Sequence, residues 1–222
     1  MAVYKVAEIF SSINGEGLKA GQTAVFVRLQ GCALQCSYCD TVWANTPDCD
    51  YRLMTTGEIM DRILSEGIRN VTLTGGEPLQ QPQIADLLTA LAHEQTLSAE
   101  IETNGSIPLS PFADLPGRPS FTMDYKLPGS GMEARMHLPN LSVLDRRDVV
   151  KFVISDERDL QRAKEITQGY GLTDQTNVYF SPVFGSISPE TIVNFMKEHR
   201  LNGVTLQLQL HKIIWDPEMR GV

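Results

Sequence analysis

Cys32, Cys36 and Cys39 fall in one short run, Gly31-Cys-Ala-Leu-Gln-Cys-Ser-Tyr-Cys-Asp40. A Cys-x3-Cys-x2-Cys spacing suits three irons of a 4Fe–4S cubane and leaves the fourth iron without a protein ligand. Electron-transfer clusters of this type are closed by four cysteines, so three imply an open iron where a small molecule binds. Two blander readings stand beside it, a zinc knuckle and three unrelated thiols. Zinc sites pair Cys-x2-Cys units with a second pair or with histidines. Here the remaining Cys49, His93, His137, His199 and His211 are scattered and make no second pair. Cys49, in Thr46-Pro-Asp-Cys-Asp50, is expected to be an ordinary thiol, because a fourth ligand would close the cluster.

Other chemistry-bearing residues collect where strand-like runs end: Thr74-Gly75-Gly76-Glu77-Pro78, Glu102-Thr-Asn104-Gly105, Asp124-Tyr125-Lys126 and Ser181-Pro182. In parallel α/β sheets and barrels, sites form at the carboxyl ends of strands. These loops and the cysteine loop are therefore expected to ring one mouth. Paired glycines let backbone approach a ligand closely, since no Cβ intervenes. Taken singly, each such residue also reads as a turn or a helix cap.

The elements that must position these loops alternate along the chain. Strand-like runs are Ala24–Leu29, Asn70–Thr74, Ala99–Thr103, Phe121–Tyr125, Val149–Ile154, Val178–Phe180 and the alternating Val204–Leu210. Between them lie helical patterns. Thr55 with Glu58 reads as a capping box; Ile84, Leu87, Leu88 and Leu91 share one face; Ser155 is expected to cap a helix carrying Leu160, Ala163 and Ile166. Ser188-Pro189 opens the last of these helices. Alternation of this kind predicts parallel βαβ units. Six or seven strands fall short of eight, so the expectation is an α/β fold with a partial, open parallel β/α barrel, one domain over residues 1–222. Thr205, Gln207 and Gln209 form one face of the last strand, which suits either a polar barrel interior or a solvent-facing edge.

Composition narrows the partners. The 222 residues are 21% charged and 42% apolar, with a net charge of −8, which argues against nucleic acid as a direct partner. No stretch reaches membrane length, and the N-terminal residues lack a signal-peptide core. Free thiols point to a reducing cytoplasm.

The cysteine spacing, with Tyr38 before the last cysteine, and the Gly75-Gly-Glu-Pro78 stretch resemble the signatures of radical S-adenosylmethionine enzymes. Three further runs sharpen this: Ile9-Phe-Ser-Ser-Ile-Asn-Gly-Glu-Gly17, Phe26-Val-Arg-Leu-Gln-Gly-Cys32 and Cys39-Asp-Thr41. With Lys151-Phe-Val-Ile-Ser155 and Gln207-Leu-Gln-Leu-His-Lys-Ile-Ile-Trp-Asp-Pro217, the whole chain is similar to the 7-carboxy-7-deazaguanine synthase family. The resemblance implies a radical lyase that contracts the ring of 6-carboxy-5,6,7,8-tetrahydropterin and releases ammonia, in queuosine or other 7-deazapurine biosynthesis. It implies one 4Fe–4S cluster on Cys32, Cys36 and Cys39, S-adenosylmethionine, and Mg2+ on Thr41. Gly75, Gly76, Glu77, Asn104, Asp124, Tyr125, Lys126 and Ser181 are the implied cofactor contacts, although other family members carry glutamine in the Ser181 loop. Ile13, Asn14, Gly15, Arg28, Thr74, His211 and Val222 are the implied substrate contacts, with Glu16, Arg28 and Glu102 closest to the chemistry. The segment Trp215–Val222 is expected to pack over the substrate.

Several of these implications fit elementary chemistry. Arg28 offers a charged fork to a carboxylate or a pterin carbonyl, Glu16 an acceptor for guanidine-like N–H groups, and a hydroxyl oxygen suits Mg2+. The plain alternatives are a surface ion pair for Arg28, a helix cap for Thr41 and a core position for His211. A flavodoxin- or ferredoxin-type electron donor and a homodimer are the expected protein partners. Rival functions are a radical enzyme that activates a protein partner and a non-catalytic iron–sulfur or zinc module.

Overall fold

Val3–Ile13 (β1) and Thr23–Leu29 (β2) form an antiparallel pair, and β2 runs straight into the cysteine loop. Arg52–Thr55 (β3), Thr56–Ser65 (α1), Asn70–Gly75 (β4), Ile84–His93 (α2) and Ser98–Thr103 (β5) follow. The short helix Ser110–Ala113 (α3) precedes Ser120–Tyr125 (β6), and Val149–Ile154 (β7) leads to Glu157–Gly169 (α4) and Leu172–Gln175 (α5). Asn177–Pro182 (β8), Pro189–Glu198 (α6), Val204–Leu206 (β9) and His211–Ile214 (α7) complete the computed structural model, which describes residues 2–222.

The strands make one nine-stranded sheet in the order β3-β1-β2-β4-β5-β6-β7-β8-β9. From β2 to β9 every neighbour is parallel, whereas β1 runs antiparallel to both β2 and β3. The sheet is open, as expected of a partial barrel, but it is mixed rather than wholly parallel. The two strands beyond the expected count are β1 and β3. β3 has only four residues, and β1 hides its alternation behind a register shift between Val6 and Glu8.

Period-two alternation splits the parallel strands cleanly. Val25, Val27, Leu73, Ile101, Phe121, Met123, Phe152, Ile154, Val178 and Phe180 belong to the buried core, with Ile59, Ile63, Leu87, Leu88, Leu91, Leu160 and Ile192 from the helices. The opposite parity carries Arg28, Thr72, Thr74, Glu100, Glu102, Thr122, Asp124 and Lys151 on the concave side, and of these Thr72, Thr74, Glu100, Thr122 and Lys151 are no more than 5% exposed. A sheet this polar on one face is stable only because helices cover the other.

Local chemistry sets the element ends. Thr55 and Glu58 make both bonds of the capping box. The cap of α4 is Asp156, not Ser155: its carboxylate accepts from Asp159 N–H at 2.9 Å, while Ser155 bonds to the Asp159 carboxylate. Ser188 caps α6. β9 stops at Leu206 rather than Leu210, since the Gln207 side chain turns inward and pairs with both backbone groups of Gly17, at 2.8 and 3.0 Å. Leu210 N–H then donates to Gly15 O at 3.1 Å. These bonds join the end of the chain to the loop after β1 and cover the open side of the barrel. No helix among the described residues is long and apolar enough to cross a membrane.

At the amino end of the strands, Arg118 forms a bidentate pair with Asp148, both bonds 2.8 Å, and Asp148 also accepts from Phe121 N–H at 2.9 Å. Both side chains are 2% exposed or less. Asp148→Ala leaves the buried guanidinium with only the longer contact to half-exposed Asp145, 3.3 Å, and the Pro119 carbonyl; the expected loss is about 3 kcal/mol of stability, measured by urea denaturation, and a loss within about 1 kcal/mol would show that the pair is solvated.

Candidate active site

The carboxyl ends of the parallel strands open into a cavity of about 340 Å³, and Cys32, Cys36 and Cys39 line it from the loop after β2. Leu34 N–H and Asn104 Nδ2 point at Cys32 Sγ, at 3.4 and 3.3 Å, and Asn45 Nδ2 lies 3.8 Å from Cys39 Sγ. Such donors favour thiolate. Burial works against them and pushes the Cys32 and Cys36 thiols up, with Lys126 countering at Cys36. Among the described residues no three His, Cys, Asp or Glu side chains converge on a single-ion position. Three thiols spread along one wall, with N–H donors behind them, fit ligation of separate irons in a cluster. Cys49 is buried outside this cavity and donates to Asp50 O.

The glycine loop interlocks with the cysteine loop. Gly76 N–H bonds to Leu29 O at 3.0 Å and Glu77 N–H to Gly31 O at 2.9 Å. A Cβ on Gly76 would strike the Gly31 carbonyl and the Asn45 side chain, and one on Gly75, at φ +146°, would strike the Leu29 backbone. The missing Cβ atoms therefore serve first to seat one loop against the other, with both glycines still lining the cavity. Glu77 ties in a third loop: its carboxylate accepts from Leu79 N–H at 3.0 Å, Asn104 N–H at 2.7 Å and Thr103 Oγ1 at 2.9 Å. It is fully buried, and burial pushes its carboxyl up to about 7.

The opposite wall comes from β1 and β2. The register shift after Val6 is a β-bulge, which turns the following residues to the other face. Val6 pairs with core-facing Leu29, but Glu8 pairs with Arg28 and Phe10 with Phe26, all four facing the cavity. Arg28 Nε donates to Glu8 at 2.8 Å, and its two terminal nitrogens have no protein hydrogen-bond partner among the described residues. Phe10 stacks on Phe26 with centroids 5.0 Å apart.

Between the walls lies a buried ionic chain. Lys151 Nζ contacts Glu16 Oε2 at 2.5 Å and Asp124 Oδ1 at 3.0 Å, and Lys126 Nζ contacts Asp124 Oδ2 at 2.8 Å. Burial would lower the ammonium of Lys151, but Asp124, Glu16 and Glu102 outweigh it and hold it well above its ordinary range. Burial would likewise raise Asp124, and Lys126 with Lys151 reverse that. Glu102 accepts from Thr74 Oγ1 at 2.7 Å, and burial raises its carboxyl. His211 sits against Gly15, where a Cβ would strike the imidazole, and burial lowers its pKa. Pro217–Val222 lie along the mouth, with Arg220 stacked 4.5 Å from the Trp43 ring.

A sequence model of the Radical SAM superfamily matches residues 26–121. The 7-carboxy-7-deazaguanine synthase of Clostridium acetobutylicum is 57% identical over 99% of this chain and 99% of its own. The chain belongs to the 7-carboxy-7-deazaguanine synthase family. The synthase of Chlorobaculum tepidum is 38% identical over 100% of this chain and 98% of its own, and that of Leptospira interrogans 37% over 98% and 97%. The crystal structure of QueE from Escherichia coli shares the fold, with a TM-score of 0.70, 19% identity and coverage of 93% of this chain and 94% of that one.

Most residues that likeness to the synthase family implicates do meet at the cavity. Ile13, Gly15, Glu16, Arg28, Thr41, Thr74, Gly75, Gly76, Glu102, Asn104, Asp124, Lys126, His211 and Val222 line it with the three cysteines. Four do not. Asn14 lies beneath the floor, 2% exposed, with its amide oxygen 2.7 Å from Thr72 Oγ1. Glu77 is spent on the loop bonds described above. Tyr125 has the parity opposite to Asp124, so it packs on Phe152 in the core and bonds to Glu133. Ser181 is fully buried and donates to Gln207 O at 2.9 Å. Thr41, expected as a cap on the plain reading, makes no side-chain capping bond to the 3-10 turn Val42–Asn45. The synthase-type cavity also holds residues that sequence reasoning passed over, Glu8, Phe10, Trp43 and Lys151 among them. Lys151 carried a signal: a single charge inside the apolar run Val149–Ile154 must find a partner.

Below the floor, Thr72 Oγ1 lies 2.7 Å from Asn14 Oδ1 and 3.1 Å from Glu100 Oε1. One hydroxyl proton cannot serve both, and Asn14 Nδ2 is buried without a partner among the described residues, so either an Asn14 amide turned toward Thr72 or a proton on Glu100 completes the pair. Burial, then the charge of Glu102, pushes the Glu100 carboxyl up to about 7. The folded chain thus keeps this proton where the unfolded chain, with an ordinary value of about 4.3, has lost it. Stability from the site is full below pH ~4 and falls as pH rises toward 7, by roughly 3 kcal/mol at most. Glu100→Gln is expected to reduce the fall in unfolding free energy between about pH 5 and 7.5, with Glu77 leaving a remainder; an unchanged slope in urea denaturation at the two pH values would refute the protonated carboxyl.

Proposed function

We propose that this chain contracts the ring of 6-carboxy-5,6,7,8-tetrahydropterin to 7-carboxy-7-deazaguanine with loss of ammonia, as a radical carbon–nitrogen lyase. The observation that carries the reading is one cavity with a three-thiol wall on one side and the Arg28–Glu8, Glu16 and Thr74–Glu102 groups on the other. When bound, a 4Fe–4S cluster on Cys32, Cys36 and Cys39 with S-adenosylmethionine supplies the one-electron chemistry needed to make a carbon radical. The terminal guanidinium nitrogens of Arg28, held in place through Nε, receive the substrate carboxylate. Glu16 accepts from the amino-pyrimidinone N–H groups. Glu102, its carboxyl raised by burial, is suited to exchange a proton during ammonia loss. Phe10 and Phe26 exclude water from that side, and neutral His211 closes the end of the pocket beside Gly15.

Two further readings accompany this function. A flavodoxin- or ferredoxin-type donor delivers the electron in a reducing cytoplasm, and the chain works as a homodimer. The roles given to Gly75, Gly76, Asn104, Asp124 and Lys126 toward S-adenosylmethionine rest on their place around the cysteine loop.

Anaerobic incubation of cluster-reconstituted protein with reductant, S-adenosylmethionine, Mg2+ and the carboxy-tetrahydropterin should yield the deazaguanine by mass spectrometry. Cys32→Ala, Cys36→Ala and Cys39→Ala should each abolish product and cluster absorbance, while Cys49→Ala keeps both near the parent level. No product from the parent protein, or cluster loss in the Cys49 variant, would overturn the reading.

Thr41 is the proposed Mg2+ ligand: its hydroxyl is free of capping duty and faces the cavity, and magnesium takes few protein oxygens beside its waters and substrate. Valine keeps the shape and removes the oxygen. Thr41→Val is expected to weaken the dependence of rate on Mg2+ concentration about tenfold or more; identical magnesium titrations for the two proteins would remove Thr41 from the metal.

A further inference from the structure

We infer that Lys151 is a positioning residue that holds the substrate-facing and cofactor-facing halves of the cavity in register through Glu16 and Asp124. The assignment of halves rests on the function proposed above; the juxtaposition itself is structural. Lys151 sits at the centre of β7, in a run whose six residues are all buried. An ammonium there must be fully compensated, and for stability alone an apolar residue of similar size serves as well or better. Its placement has a geometric outcome instead.

Glu16 belongs to the loop after β1 and has no strand to fix it. Its carboxylate is held by Lys151 at 2.5 Å; among the described residues the Ser181 hydroxyl also lies 3.4 Å away, but its proton goes to Gln207 O at 2.9 Å. Asp124 ends β6, directly across from Lys151 in the sheet register, and divides its oxygens between Lys151 and Lys126. Lys126 also lines the cavity together with Cys36. One ammonium thus fixes a loop carboxylate on the substrate side and a strand-end carboxylate that leads, through Lys126, to the cysteine wall. Without it, Asp124 keeps Lys126, Glu102 keeps the more distant charge of Arg28, and Glu16 loses its ion-pair partner.

Two double-mutant cycles test this, read by equilibrium dialysis of ligand against anaerobic holoprotein without reductant, so that no turnover enters. In the first, Lys151→Met and Glu16→Gln are combined and affinity for the carboxy-tetrahydropterin is measured. In the second, Lys151→Met and Asp124→Asn are combined and affinity for S-adenosylmethionine is measured. Lys151→Met is expected to weaken both ligands about tenfold or more. Adding the second substitution should then cost within about twofold, because its group has already lost its position. Circular dichroism and iron content confirm that the variants fold and hold the cluster. Should Lys151→Met give no soluble protein, Lys151→Arg, which keeps the charge but not the shape, carries the same cycles. Fully additive losses in both cycles would reduce Lys151 to a structural residue and overturn the inference while leaving the functional reading intact. Failure of the parent protein to bind the pterin overturns both.

Discussion

Everything in this molecule follows from placing carboxylates and ammonium groups on the dry, concave face of a sheet. Burial of an unpaired charge is too costly to persist, so each interior group has an answer within reach: Glu16 and Asp124 share Lys151, Asp124 also takes Lys126, and Glu102 takes the Thr74 hydroxyl. Glu100 is answered differently, by the Thr72 hydroxyl beside it and by burial that favours its neutral form. Two of these contacts, Asp124 with Lys151 and Thr74 with Glu102, join neighbouring strands, so this part of the charge balance depends on the strands holding their register. A slip of one residue in β7 would replace Lys151 with an apolar neighbour and leave three carboxylates facing one another.

The loops above this floor are fixed by close backbone contact. Gly75 and Gly76 let the loop after β4 lie against the loop after β2, and the Glu77 carboxylate binds the loop after β5 to both. Rigidity at the cysteine wall comes from these bonds rather than from secondary structure, since the cysteine run itself contains none. On the far wall, a single bulge in β1 brings Glu8 and Phe10 to the cavity and leaves Ile9 to pack with the core.

What the sequence made legible was local. Cysteine spacing, the glycine pair and the capping signals at Thr55 and Ser188 act over a few residues, and the apolar runs of β2, β4 and β7 declare themselves without context. Parity along Phe121–Tyr125 also separates Asp124 from Tyr125, although a motif read as a block treats them alike. Glu77 was legible as important but not in its manner, because its partners lie 26 and 27 residues away. The bulge in β1 was invisible, since an inserted residue erases the alternation that marks a strand. Asp156 displaced Ser155 as a cap because the serine was already bonded to the Asp159 side chain, a competition that spacing does not display.

The closing bonds have a temporal side. Gln207 grips Gly17 across 190 positions, Leu210 bonds to Gly15, and the imidazole of His211 rests on that same glycine. During synthesis the cysteine run and most of the parallel sheet emerge long before these residues do. A nascent chain therefore lacks the contacts that cover this side of the pocket until residues 207–211 leave the ribosome. Protection of the cavity thus depends on contacts of very high sequence separation, the kind whose formation slows folding.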